Sequence, residues 1–409
     1  MCGDSLISVF EIDDFQLFYN NKYLYFMTPP KSLKNIKKGK SFVWFLYFLY
    51  NKTMEKQIKK VLILRLSALG DAIHTLPVAY AIKKTWPDCK IGWVVEDKAQ
   101  LFIKENPLID HCYVIPKKTW KKRGLFSFEN IKEFKNIIDA INKEHYDVVL
   151  DTQQLFKSAS ILPFLNIKRK VTLTGGREFY QLFSNEIYKE SHKLFDPNYH
   201  VVKRNLEFAQ HIGADTSEVK MVLKDATNEI KEKINDFLKS LSPDKKTVVI
   251  SPATTWENKH WAESHWQETI KWLKDRANIV FTGMEADNAL IERILDGTDC
   301  NNYINLAGKT NLEELAEVFR RADIVISPDS GSAHIAWATQ KPAIITLFSA
   351  TAEKRSAPFG DNCYILAPEL ECRPCLKKNC RLKNKEDKNK CSRLVTSSEL
   401  INLLERLLQ

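Results

Sequence analysis

No apolar run in this 409-residue chain approaches the ~20 residues that a membrane-spanning helix needs: Phe42 to Tyr50 stops far short, and no small-residue cleavage site follows it. A transmembrane segment is therefore not expected. Two nucleotide fingerprints are missing as well. No G-x-G-x-x-G follows the first strand-like run and no G-x-x-x-x-G-K-[ST] occurs, which argues against a dinucleotide dehydrogenase and a P-loop enzyme. There is also no Asp-x-Asp pair of the kind that holds a divalent cation on a sugar nucleotide. Diphosphate chemistry would then have to draw its positive charge from side chains and helix starts.

What is present is enough for two moderate domains: the chain is too long for one ordinary core, and 44% hydrophobic and 11% aromatic residues can fill two. A net charge of +10 and a pI near 8.9 point to an anionic partner, with compositional bias as the bland alternative. Of nine cysteines, those at 2, 89, 112, 300 and 363 are scattered and read as buried thiols, while Cys372, Cys375, Cys380 and Cys391 cluster.

Residues 1–58 differ from the rest. They carry a basic run, Lys31 to Lys40, beside the aromatic one, and read as a poorly ordered or surface-associated extension; Met54 is an expected alternative translation start. From Lys60 the chain alternates strand-like and amphipathic stretches. Strands are expected at 60–66, 90–95, 111–115, 147–151 and 168–173, then, after a polar connector, at 247–251, 278–283, 303–306, 323–327 and 342–348. Such alternation implies α/β halves with covered parallel sheets, and two of them face across a cleft. The boundaries expected are 59–225 for the first half, 226–246 for a linker, 247–395 for the second half and 396–409 for a terminal helix.

Three strand ends carry polar loops, where an open α/β sheet builds its site. After the first strand come Arg65 and Ser67-Ala68-Leu69-Gly70-Asp71. Asp71 is either a helix N-cap or, because Pro77 suits a later helix start, a loop carboxylate free for chemistry. After 247–251 comes Pro252-Ala253-Thr254-Thr255-Trp256-Glu257-Asn258-Lys259, with hydroxyls, backbone N–H groups and a lysine suited to phosphate oxygens. A surface role for Lys259 is the alternative. After 323–327 come Asp329-Ser330-Gly331-Ser332-Ala333-His334, either a ligand-facing helix start or a capped helix with His334 packed.

In order and spacing, Ser67-x-x-Gly70-Asp71-x-x-His74-Thr75-Leu76-Pro77, Asp151-x-Gln153-x-Leu155-x-Lys157-Ser158, Thr254-Thr255-x-x-x-Lys259-His260-Trp261 and Asp329-Ser330-Gly331-x-x-His334 resemble the family 9 glycosyltransferases, the lipopolysaccharide heptosyltransferases. The resemblance spans about Lys60 to Gln409. It implies the GT-B fold, two Rossmann-like domains facing across a cleft, and metal-independent, inverting transfer of L-glycero-D-manno-heptose from ADP-heptose to a Kdo hydroxyl of lipid A. It further implies a peripheral enzyme at the cytoplasmic face of the inner membrane, with no nucleic-acid partner.

Residue by residue, the resemblance makes Asp71 the general base that takes the acceptor's proton, and Lys259, with Thr254 and Thr255, the holders of the departing diphosphate. Asp329, Ser330, Gly331 and His334 match the loop for donor sugar and phosphate; Ser330 stands where family members often have Thr. Met284 is a candidate adenine contact or a core residue. Lys117-Lys118-x-Trp120-Lys121-Lys122 looks like a basic loop for a phosphorylated lipid acceptor, with a solvated loop as the alternative, and Lys157 and Ser158 are expected on the acceptor side.

The cysteine cluster has zinc-like spacing only in its first pair, so a structural zinc at Cys372, Cys375, Cys380 and Cys391 stands beside free or redox-labile thiols. Two other functions stay open: a family 9 transferase using another sugar nucleotide or a later core acceptor, and a nucleic-acid-binding protein with a C-terminal zinc module. Against the last, the cysteine segment has no aromatics for base stacking.

Overall fold

Val61, Leu62, Ile63 and Leu64 have no solvent-exposed surface, which is the signature of a strand covered on both faces. The computed structural model describes residues 58–124, 127–175, 178–192, 196–384 and 386–409, together with the backbone of three short strands nearer the start. The chain divides into two units, Met1–Ile58 and Lys59–Gln409. In the first unit, β1 (Ser8–Ile12), β2 (Phe15–Asn20) and β3 (Tyr23–Phe26) form an antiparallel sheet in that order. The basic run at 31–40 and the apolar run at 42–50 lie outside the described residues.

The second unit contains two sheets of the same design. The first half runs β4 (Lys60–Leu64), α1 (Leu69–Ile73), α2 (Leu76–Thr85), β5 (Lys90–Glu96), β6 (His111–Ile115), α3 (Lys117–Arg123), α4 (Phe128–Lys143), β7 (Val148–Asp151), α5 (Phe156–Ala159), β8 (Arg169–Leu173), β9 (Glu186–Tyr188) and α6 (Val201–His211). The second half runs α7 (Asn228–Leu238), β10 (Thr247–Ile250), α8 (Glu263–Leu273), β11 (Asn278–Phe281), α9 (Asn288–Leu295), β12 (Tyr303–Asn305), α10 (Leu312–Arg321), β13 (Ile324–Pro328), α11 (Gly331–Thr339), β14 (Ala343–Leu347), α12 (Glu353–Ser356), β15 (Cys363–Leu366), α13 (Cys391–Leu394) and α14 (Ser397–Leu408).

Both sheets have six parallel strands, ordered β6-β5-β4-β7-β8-β9 and β12-β11-β10-β13-β14-β15. Each is the doubly wound order, in which the chain reverses direction beside the first strand and opens a crevice at the carboxyl ends there. The crevices therefore lie between β4 and β7 and between β10 and β13. These are the strand ends that carry the polar loops. The α/β expectation of two parallel-sheet halves holds, and each sheet gains a sixth strand that the hydrophobic pattern did not reveal, β9 and β15.

Local chemistry sets several boundaries. Helix α10 starts with a reciprocal cap: Asn311 Oδ1 accepts the Glu313 and Glu314 N–H groups at 2.9 Å, and Glu314 Oε2 accepts the Asn311 N–H. Residues 226–246, expected as a linker, contain the amphipathic helix α7, whose Ile234 is buried. Helix α14 packs back on the second half, inserting Leu400, Leu403 and Leu404 among Trp261, Trp266 and Ile270; each such burial is worth roughly 2 kcal/mol. Among the described residues no helix is long and apolar enough to cross a membrane.

Candidate functional site

The loop after β4 is pinned from two directions. Gln153 Oε1, from the loop after β7, accepts the Leu66 and Ser67 N–H groups at 3.1 and 3.0 Å. Arg65 is buried and donates to the Thr152 carbonyl, while its Nη2 lies 3.1 Å from Asp71 Oδ1. Asp71 is neither an N-cap nor a loop residue. It sits in the first turn of α1 with Oδ2 accepting the Ala68 N–H at 3.2 Å, and Pro77 opens a separate helix, α2. The side chain is 43% exposed, so the carboxylate stays accessible while two neighbours aim it. Arg65 carried no sequence signal beyond being a charge at a strand end.

In the second half, Lys259 Nζ lies 2.6 Å from Asp329 Oδ2 and 3.1 Å from the Asp329 carbonyl, and it sits over the Trp256 ring. A purely surface role is thereby excluded, since the side chain is only 15% exposed. Thr351 Oγ1 donates to the same Asp329 oxygen at 2.7 Å. Burial pushes the Asp329 carboxyl up, but the charges of Lys259 and His334 and the hydrogen bonds from Lys259 and Thr351 outweigh it and hold the carboxyl below its usual range.

Ser330 occupies the N-cap position of α11 without capping it; its Oγ pairs with Ser327 Oγ at 2.8 Å. A Cβ on Gly331 would meet nothing within 4 Å, so the start of this helix opens onto free space. Thr254 and the exposed Thr255 lie on the loop after β10, where the Thr254 carbonyl accepts His260 Nε2. Met284 is 65% exposed just beyond β11, which removes the core alternative for it.

The two halves meet at their strand ends. Helix α1 packs against α11, and a Cβ on Gly70 would come within 3.2 Å of His334 Cδ2, so only glycine allows this approach without displacement. His74 Nε2 lies 3.2 Å from His334 Nδ1, and His200 and Trp337 surround the pair. His334 is packed, as one reading held, but against the opposite half. Both Asp71 and Lys259 act on it electrostatically, from opposite sides of the junction. Arg355 of α12 is coupled in the same way to Asp71 and Arg65, a residue that no sequence pattern singled out.

Burial lowers the pKa of all three histidines. It lowers His74 well below the ordinary value, with repulsion from His334, His200, Arg65 and Arg355 adding; it takes His200 to about 4 against a partly opposing bond to the Ala357 carbonyl; and it outweighs Asp329 at His334. For a base with a depressed folded-state pKa, the stabilisation is complete above the unfolded value near 6.5 and is lost as pH falls towards 4. The thermal unfolding midpoint is therefore expected to drop across that window, and His200→Gln should flatten the drop. An equally steep fall in the variant would refute this origin.

On the acceptor side, Lys117, Lys118, Lys121 and Lys122 are on a helix, α3, rather than a loop. With Glu96, Asp97 and Lys98 they line a cavity of about 540 Å³. Lys157 reaches Ser67 Oγ, at the edge of the Asp71 loop. Ser158 does not share this position: it is fully buried, its hydroxyl donates to the Leu155 carbonyl at 2.9 Å, and it supports the buried Asp151, so its expected acceptor contact is not built. Glu96 was missed, although a charge ending an otherwise buried strand was a usable signal.

Cys372, Cys375, Cys380 and Cys391 line one cavity of about 480 Å³. Among the described residues, however, no group of three or more His, Cys, Asp or Glu side chains is gathered so that it could hold a metal ion, so the thiols are free as they stand. The expected structural zinc and a zinc-built nucleic-acid module lack a formed site.

The glycosyltransferase family 9 (heptosyltransferase) model matches residues 135–386. Lipopolysaccharide core heptosyltransferase OpsX of Haemophilus influenzae is 31% identical over 313 residues, covering 74% of this chain and 82% of that protein. Lipopolysaccharide heptosyltransferase 1 of Escherichia coli is 28% identical over 310 residues, covering 74% and 92%. The solved structure of E. coli heptosyltransferase WaaC with ADP superposes with a TM-score of 0.66 at 25% identity, covering 85% of this chain and 99% of that one.

Proposed function

Since the chain belongs to glycosyltransferase family 9 and has that family's two-domain GT-B architecture, we propose that it transfers L-glycero-D-manno-heptose from ADP-heptose to a Kdo hydroxyl of lipid A, with inversion, as heptosyltransferase I does. The observation that carries this reading is the junction itself. Asp71 follows Gly70, which closes on the His334 ring, and Lys259 is paired with Asp329, whose Oδ1 lies 3.9 Å from His334 Nε2, so the carboxylate of one crevice and the ammonium of the other converge on one junction.

In this reading Asp71 accepts the proton of the attacking hydroxyl while the glycosidic bond to phosphate breaks on the far side of the anomeric carbon. Lys259, the Thr254-Thr255 loop and the free N–H groups opening α11 take up the charge left on ADP. Asp329 holds Lys259 in place, Ser330 and Gly331 border the donor, and Met284 offers an exposed apolar edge to the adenine. With side-chain and backbone donors covering the diphosphate, no metal is needed for the step. The α3 lysines and Lys157 receive the phosphorylated lipid acceptor, and in this reading the enzyme works as a peripheral protein at the cytoplasmic face of the inner membrane.

The experiment is direct. Purified protein, treated with EDTA, is incubated with ADP-heptose and Kdo-lipid A, and ADP release and product mass are followed. Turnover with a mass gain of one heptose is expected. Release only with another sugar nucleotide, or only with a later core acceptor, would instead favour a family 9 transferase of different specificity.

A further inference from the structure

Glu96 ends β5 and is 7% exposed, yet the proposed transfer makes no use of it. A carboxyl group kept that far from water needs hydrogen-bond partners. It has two, both cations from other elements: Oε1 accepts from Lys117 Nζ of α3 at 2.9 Å and from Lys157 Nζ of α5 at 3.2 Å. Lys157 Nζ also donates to Ser67 Oγ, and the amide of the next residue, Ala68, donates to Asp71 Oδ2. A continuous polar chain thus runs from the α3 lysines to the carboxylate that would act as base.

The near end of that chain opens on the α3 cavity, where five lysines stand against Glu96 and Asp97, an excess of positive charge suited to a multiply charged anion. An ammonium has three N–H donors, and Lys117 uses one of them on Glu96. When a phosphate oxygen draws Lys117 away, Glu96 Oε1 loses one of its two donors and its attraction falls on Lys157 alone. Lys157 is the group that holds the Ser67 hydroxyl.

We propose that Glu96 is a positioning residue that couples a phosphate group seated on the α3 lysines to the Ser67 loop, and through it to Asp71. The inference rests on the reading of α3 as the acceptor side and deepens it: the phosphate of the acceptor is then felt in kcat and not only in KM. In the wild-type protein, removing the phosphate from the acceptor should lower kcat by about tenfold as well as raise KM. In Glu96→Gln, which keeps the shape and removes the charge, kcat for the two acceptors should agree within about twofold, with the KM for ADP-heptose unchanged. A kcat difference that survives in Glu96→Gln, or an equal loss on both acceptors, would overturn the coupling. Lys117→Met breaks the chain at its other end and should give the same pattern if Glu96→Gln does not fold.

If no phosphorylated lipid is a substrate, the heptosyltransfer reading fails by itself, and the coupling is still measurable. With ADP saturating the second half, inorganic pyrophosphate added to ¹⁵N-labelled protein should shift the Ser67 and Ala68 amide resonances in the wild type and leave them in place in Glu96→Gln. Amides unmoved in the wild type, or moved equally in both proteins, would sink it.

Discussion

Asp71→Asn is expected to lower the turnover of the heptosyl acceptor by about a thousandfold, within the range for loss of a general base, while leaving the affinity for ADP-heptose almost unchanged. The asymmetry follows from where the residue stands. Asp71 belongs to the crevice between β4 and β7, and the proposed donor contacts all come from the other sheet. Asparagine keeps the amide-oxygen contact to the Ala68 N–H, so α1 retains its first turn. What it removes is the basic oxygen and the charge opposite Arg65, and a unfolding measurement on the same variant separates that second loss from the first. A variant that keeps more than a tenth of the wild-type kcat would remove Asp71 from the chemistry.

Lys259→Met should cost both stability and catalysis, and the two can be told apart. Breaking the 2.6 Å pair leaves the Asp329 carboxylate, 7% exposed, with Thr351 and a distant His334 as company. Removing one partner of a buried pair destabilises by about 3 to 5 kcal/mol, because the other charge stays behind without compensation. Loss of a cation on the departing diphosphate should also lower kcat by about a hundredfold or more. Adding Asp329→Asn to Lys259→Met removes the stranded charge, so the double variant should recover most of the stability and none of the turnover. Recovery of turnover together with stability would mean that Lys259 only holds the fold.

Much of this was legible in the residues. Runs such as Val61 to Leu64 and Val248 to Ile250 are covered on both faces, so a parallel sheet under helices was readable from their composition alone, and the polar loops that interrupt the pattern are the ones at the two crevices. The strands that escaped, β9 and β15, are edge strands of three and four residues whose side chains are half exposed, so neither length nor hydrophobicity separates them from loop. The helicity of Lys117 to Arg123 was hidden for a different reason. A seven-residue stretch with five basic side chains shows no apolar stripe, its one aromatic side chain, Trp120, being seated against Phe134. Ser158 was misplaced because a motif gives spacing along the chain and not direction: one residue after Lys157 on a helical turn, its hydroxyl points into the protein. Partners such as Thr351 and Arg355 come from distant stretches and needed the fold to bring them in.

The meeting of the halves through His74, His200 and His334 also bears on how the molecule behaves among ions. Surfaces joined by aromatic rings packed edge to face and away from water have little exposed Coulomb attraction for dissolved salt to weaken, unlike surfaces joined by exposed ion pairs. On the proposed reading, a protein of charge +10 that takes polyanionic ligands holds them less tightly as ionic strength rises. Its two halves, held by chemistry of another kind, keep their alignment while it does so.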